Sequence, residues 1–156
     1  MSASSFNWQV QRFEALSSTT LYAILKIRQE VFAVEQNSVY LDVDGKDMGA
    51  IHLYGQEDNA IQAYCRILAP GVKYTEASIG RVLTSVDNRG NGTGRLLMQK
   101  ALVYCAQHYP NSGVRISAQL YLQKFYESFG FIVITAPYDE DGIPHIEMLK
   151  HKVSTA

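Results

Sequence analysis

The feature that most narrows the fold is a β-prone run, Ile79 to Val86, that leads into the glycine-rich stretch Arg89-Gly90-Asn91-Gly92-Thr93-Gly94 and then into a helical pattern. From about Thr93 to His108, Leu96, Leu97, Leu102, Val103, Cys105 and Ala106 recur at helical spacing, and Pro110 stops the run. A strand entering glycines and then a helix leaves the first helical N–H groups without internal partners, with the positive end of the helix dipole beside them. Such a turn is an anion site, and its glycines let a phosphate approach the backbone.

The rest of the chain supplies further strands and helices. Asn7 to Phe13 alternates as a first strand, and a helix capped by Ser17 or Ser18 runs through Leu21, Ile24, Leu25, Val31 and Phe32 to Val34. Glu35 to Gly49 reads as a loop, broken by Asp42, Asp44, Gly45, Asp47 and Gly49. Ile51 to Gly55 and Ile61 to Leu68 form a hairpin joined by Gln56-Glu57-Asp58-Asn59. Val114 to Ala118 is a strand and Leu120 to Phe129 a short helix ending at Gly130. Phe131 to Ile134 and Ile143 to Lys150 are the last strands, around a loop from Thr135 to Gly142. The order predicts one α+β domain over residues 1–156.

Composition narrows the partners. Fourteen basic against fifteen acidic residues, with no run of like charge, argue against nucleic acid. No apolar run approaches the roughly 20 residues needed to cross a bilayer, and Met1 to Asn7 lacks the features of a secretory signal. A soluble cytoplasmic protein is expected. Cys65 and Cys105 lie in apolar patterns and read as buried thiols rather than a disulfide or metal site. From Asp42, the acidic stretch through Asp47 brings its glycine too early for an EF-hand and has Leu53 where the closing glutamate belongs. It reads as a solvated acidic loop that, with Asp139, Glu140 and Asp141, makes its side of the molecule negative and suits a cationic partner. No metal site is expected.

By itself the glycine turn suits a dinucleotide, a nucleoside triphosphate or the pyrophosphate of coenzyme A. Arg95 stands where a dinucleotide fingerprint starting at Gly90 needs its third glycine, and Gly94-Arg95-Leu96 lacks the Lys-Ser/Thr of a P-loop. The stretch resembles the Arg/Gln-x-x-Gly-x-Gly/Ala motif of the GNAT superfamily of N-acetyltransferases, and Phe125-Tyr126-Glu127-Ser128-Phe129-Gly130-Phe131 is similar to that family's Tyr-Glu-x-x-Gly-Phe segment. Val31 to Gln36, Ile79 to Val82, Ala118-Gln119 with Phe125-Tyr126, and Asp141 to His145 resemble its ElaA-like branch over nearly the whole chain.

The resemblance implies the GNAT acyl-CoA N-acyltransferase fold, a mixed central sheet of about six to seven strands flanked by helices. It implies acetyl transfer from acetyl-CoA, as cosubstrate, to a small-molecule or peptide amine by direct attack in a ternary complex. Val82, Leu83 and Thr84 would lie along the pantetheine arm, and Arg89, Gly90, Asn91, Gly92, Thr93, Gly94 and Arg95 would hold the pyrophosphate. Gln119 stands where the family often has asparagine and would contact the arm. Tyr126 matches the family's general acid, and a tyrosine's ordinary pKa of about 10 keeps it protonated at neutral pH. For the base, Glu35 and His145 lead Asp44 and His52. Arg28, Arg66 and Arg81 are expected to pair with loop carboxylates. The alternative is a non-catalytic module that binds or senses acyl-CoA, and exposed strand edges leave a homodimer open.

Overall fold

The computed structural model describes residues 5–152, so Met1 to Ser4 of the polar N-terminal stretch lie outside the described residues. The elements are β1 (Asn7–Arg12), α1 (Ser18–Gln29), β2 (Ile51–Glu57), β3 (Ala60–Leu68), β4 (Ala77–Thr84), α2 (Thr93–His108), β5 (Val114–Gln119), α3 (Gln123–Glu127), β6 (Ile132–Val133), β7 (Tyr138–Glu140) and β8 (Ile143–Lys150). The strands form a mixed eight-stranded sheet in the order β1-β2-β3-β4-β5-β8-β6, with β7 pairing β8. β4 and β5 are parallel at Ala77–Val114 and Ser78–Arg115, whereas β5 and β8 are antiparallel.

The eighth strand comes from a segment expected to be loop. Asp141 and Gly142 have φ of 53° and 83°, so they make a tight left-handed turn that folds Tyr138–Glu140 back onto β8. Asp58 and Asn59, at 52° and 64°, do the same between β2 and β3. The connection is therefore shorter than the predicted Gln56–Asn59. Asp and Asn tolerate this region because their short side chains bond locally.

Ser17 caps α1, its Oγ accepting the Thr20 N–H at 3.0 Å. The predicted continuation to Val34 is not α-helical: Glu30–Glu35 widens into a π-helix. The predicted Leu120–Phe129 helix is likewise divided, into a 3-10 turn at Leu120–Leu122 and α3.

Contacts divide the chain into two compact units, Met1–Ile67 with Arg81–Leu102 and Leu68–Gly80 with Val103–Ala156. In the first, Ile24, Val31, Tyr54, Ile61, Tyr64 and Leu83 form a buried cluster, with Leu16, Ala23, Ile27 and Phe32 packed against it. In the second, Val114, Ile116 and Ala118 alternate as buried residues along β5, and Tyr126 stands edge-on to Phe125 and Phe131. Gly130, at φ 93°, ends this aromatic segment: its N–H bonds Glu127 O at 2.9 Å and the Phe131 N–H reaches Tyr126 O.

Candidate active site

The glycine turn is built by its own side chains. The chain leaves β4 through a 3-10 turn at Val86–Asn88 and enters α2 at Thr93. Gly92 O accepts the Leu96 N–H at 3.0 Å, so Gly92 opens the helical ladder. The Asn91 side chain accepts the Thr93 N–H at 3.2 Å and the Thr93 hydroxyl at 2.7 Å, and donates to Asn88 Oδ1. Asn91 and the fully buried Thr93 thus shape the turn, a use of these two side chains that the motif alone did not reveal.

Gly90 and Gly92 have φ of 76° and 88°, where an L residue is strained. A Cβ added to either would meet nothing within 4 Å. Their need for glycine is therefore conformational, and the space over them is open. An open, left-handed backbone beside a helix N-terminus and an arginine is what a pyrophosphate requires, so the residues present fit the group. Gly94 and Arg95 lie in the first turn of α2.

Arg89 is engaged on its other side. Its guanidinium forms a two-pronged pair with Glu35, Nη2 donating to Oε2 at 2.9 Å and Nη1 to Oε1, and it also reaches Thr84 O at 3.4 Å. Hydrogen bonding to Arg89 holds the Glu35 carboxyl below its ordinary range. The pair is partly exposed, so its energetic weight is small. Geometrically it ties the end of the π-helix to the start of the glycine turn.

In the second unit, Gln119 ends β5 directly opposite His145 of β8, and Tyr138 of β7 lies opposite the same histidine on the other side. His145 is buried, its ring stacked on Tyr138. Nδ1 lies 2.8 Å from Ile143 O, an acceptor, so Nδ1 carries the proton. Nε2 lies 3.2 Å from Glu140 Oε2. From sequence Glu140 is only one charge of an acidic loop; the Asp141-Gly142 hairpin turn is what places it beside His145. Tyr126 is buried on α3 among Phe125 and Phe131.

Residues 28–152 match the family model described as Acetyltransferase (GNAT) domain. The chain is 43% identical to protein ElaA of Escherichia coli over 94% of this chain and 97% of that protein. It is 44% identical to a UPF0039 protein of Synechocystis sp. over 92% of this chain and 94% of that one. The chain belongs to the GNAT family. Among solved structures, an acyl-CoA N-acyltransferase of Pseudomonas aeruginosa superposes with a TM-score of 0.90 at 39% identity, over 94% of this chain and 99% of that one. Escherichia coli ElaA follows at 0.89 and 42%, with the same coverage. This is thus an ElaA-like GNAT protein with the acyl-CoA N-acyltransferase fold.

The acidic stretch of this GNAT chain is not the solvated loop expected. Asp42, Asp44 and Asp47 alternate with Arg28, Arg81 and Arg66 in a closed ring. Asp42 bridges Arg28 and Arg81, Asp44 bridges Arg81 and Arg66, and Asp47 bridges Arg66 and Arg28. Arg28 is fully buried, and its Nη1 meets Asp47 Oδ1 at 2.6 Å. Burial opposes the charges on Asp44 and Asp47, but the arginines outweigh it and hold both carboxyls below their ordinary range. Three cations cancel three anions, so this stretch lends no negative field toward a cationic amine. Asp44, a candidate base from sequence, is already spent on Arg66 and Arg81.

His52 is equally committed in this GNAT fold. It is fully buried, Nδ1 lies 2.7 Å from the Tyr64 hydroxyl and Nε2 2.9 Å from Asp47 O. Burial lowers its pKa, so it sits neutral beneath the ring as a structural residue. Cys65 and Cys105 are buried and are not joined in a disulfide, and burial pushes the Cys105 thiol up to about 12. Among the described residues, no group of His, Cys, Asp and Glu suits a metal ion, and no helix is long and apolar enough to cross a membrane.

Proposed function

We propose that this chain is a single acyltransferase domain that moves an acetyl group from acetyl-CoA to a primary amine, in the cytoplasm, by direct attack in a ternary complex. The observation that carries the proposal is the glycine turn: Gly90 and Gly92 hold left-handed φ under open space at the start of α2, next to Arg89. Family membership supports transfer of an acyl group from coenzyme A. The acetyl group and the amine are the finer steps of the proposal, and the buried thiols, not joined in a disulfide, support a reducing compartment.

In this reading acetyl-CoA supplies an activated thioester carbonyl. Arg89 to Arg95 bind its pyrophosphate through backbone N–H groups, the helix dipole and the Arg89 cation. The backbone of Val82, Leu83 and Thr84 pairs with the pantetheine arm as an added strand, and one of its N–H groups polarises the carbonyl oxygen. Leu83 is anchored in the core cluster, which fixes that backbone. Gln119 contacts the arm, and Tyr126 gives its proton to the departing thiolate.

Of the two base candidates, His145 suits the task better. Its Nδ1 donates to Ile143 O and Glu140 Oε2 lies 3.2 Å from Nε2, so a proton that Nε2 takes from the amine, directly or through water, is stabilised by that carboxylate as it arrives. Glu35 is held deprotonated by Arg89, and its role in this reading is to orient that arginine.

Thiol release from acetyl-CoA against a panel of amines tests the function, beside a binding titration without acceptor. Turnover on an amine is expected; coenzyme A binding with no turnover on any amine would favour a binding or sensing module. Tyr126→Phe is expected to keep coenzyme A affinity and to lower turnover by about tenfold or more, and unchanged turnover would remove Tyr126 from the acid role.

A further inference from the structure

Arg81 stands in the middle of β4 with φ of 52°. For an L residue this places Cβ against the following carbonyl, a conformation that persists only when the surroundings impose it. Gly80, the adjacent residue, would adopt it at no steric cost and does not. The left-handed bend therefore sits on the residue whose side chain is clamped. Arg81 Nε donates to Asp42 Oδ1 at 2.8 Å, and Nη2 donates to Asp42 O at 3.0 Å and to Asp44 Oδ2 at 3.4 Å. Its guanidinium lies 5.6 Å from the centre of the Tyr40 ring, and the Tyr40 hydroxyl donates to the same Asp42 carboxylate at 2.7 Å.

The clamp is itself immobilised. Arg28, fully buried, holds Asp42 from the opposite side at 2.9 Å, and Arg66 holds Asp44 through two bonds of 2.8 and 2.9 Å. Each carboxylate that grips Arg81 is thus gripped in turn by a buried arginine, and fork-shaped guanidinium bonding fixes direction as well as distance. Within an extended strand, one left-handed residue turns the peptide planes that follow it. Those planes belong to Val82, Leu83 and Thr84.

We infer that Arg81 is a positioning residue for acyl transfer: the arginine–aspartate ring holds its backbone left-handed and so aims the N–H groups of Val82 to Thr84 at the acyl donor. The inference rests on the reading of that strand as the donor strand. It gives the ring a task that a solvated loop could not perform, because a strained φ persists only where fixed surroundings hold it.

A comparison of Arg81→Ala with Arg81→Gly tests it, since both lose the guanidinium but only glycine keeps a left-handed φ without strain. Backbone amide shifts of Val82, Leu83 and Thr84 in the ligand-free protein are expected to move in Arg81→Ala and to return toward the wild-type values in Arg81→Gly. Coenzyme A affinity by calorimetry, and kcat and KM for acetyl-CoA, should follow the same order, with Arg81→Ala impaired by about ten- to a hundredfold. If Arg81→Ala does not fold, Arg81→Lys replaces it, since lysine bears the same strain without the two-pronged grip. Equal impairment of the alanine and glycine variants, or unmoved amides in Arg81→Ala, overturns the inference while wild-type coenzyme A binding stands. A wild-type protein that binds no coenzyme A overturns the functional reading, and the inference falls with it.

Discussion

The glycine turn and the Tyr40–Asp47 stretch are both polar, both irregular and both attached to β4, yet they are held in opposite ways. The turn is shaped from within: Asn91 bonds Thr93 two residues on, and Gly90 and Gly92 adopt the φ that glycine alone adopts freely. The acidic stretch is shaped from outside, since Asp42, Asp44 and Asp47 are each fixed by arginines from α1, β3 and β4. A local device leaves its backbone open to a ligand. A long-range one uses up the groups that make it, and so turns conspicuous charge into scaffold.

The contrast breaks first at Arg28. Arg28→Ala removes a fully buried cation that two carboxylates share, and loss of one partner from a buried ion network costs about 3–5 kcal/mol. Urea unfolding should show a correspondingly lower midpoint; a change within the range of a surface substitution would mean that the ring is not structural. Gly92→Val asks the complementary question of the turn. The substitution forces a β-branched side chain to φ 88° and fills the open space above it. Coenzyme A affinity should drop by at least about tenfold with the fold retained by circular dichroism, and unchanged affinity would remove the turn from the donor site.

The smallest effect is read from pH. His52 has a folded pKa below the unfolded value, so the unfolded chain takes up the proton first as pH falls. Its contribution is fully present above about pH 6.5 and declines below that, at no more than about 1.4 kcal/mol per pH unit. Asp44 and Asp47 have depressed pKa values, so their contribution persists down to about pH 4 and is lost on further acidification. Stability measured against pH should therefore fall in two limbs, and His52→Gln should flatten the upper limb alone. A single limb in the wild type would detach His52 from the ring it bonds through Asp47 O.

Much of the fold was legible because its signals are local. The alternation of β1, the β-prone runs of β3 and β5, the Ser17 cap, Gly130 and the strand–turn–helix at Thr93 all depend on residues within a few positions of one another. Asp141-Gly142 carries a hairpin signal as well, and that local turn is what brings β7 onto β8 and Glu140 beside His145. The arginines were legible as partners for the loop carboxylates, but not their closure into a ring.

What the sequence determined by itself was the glycine turn, because the sign of φ is a property of glycine and the orphan N–H groups are a property of any helix start. What only the tertiary structure decided was which charges remain available. Arg28, Arg66 and Arg81 reach the acidic stretch from three separate elements, and a left-handed arginine in mid-strand has no local code at all. Charge pairing acts through space and backbone strain is imposed by packing, so neither can be read from neighbouring residues.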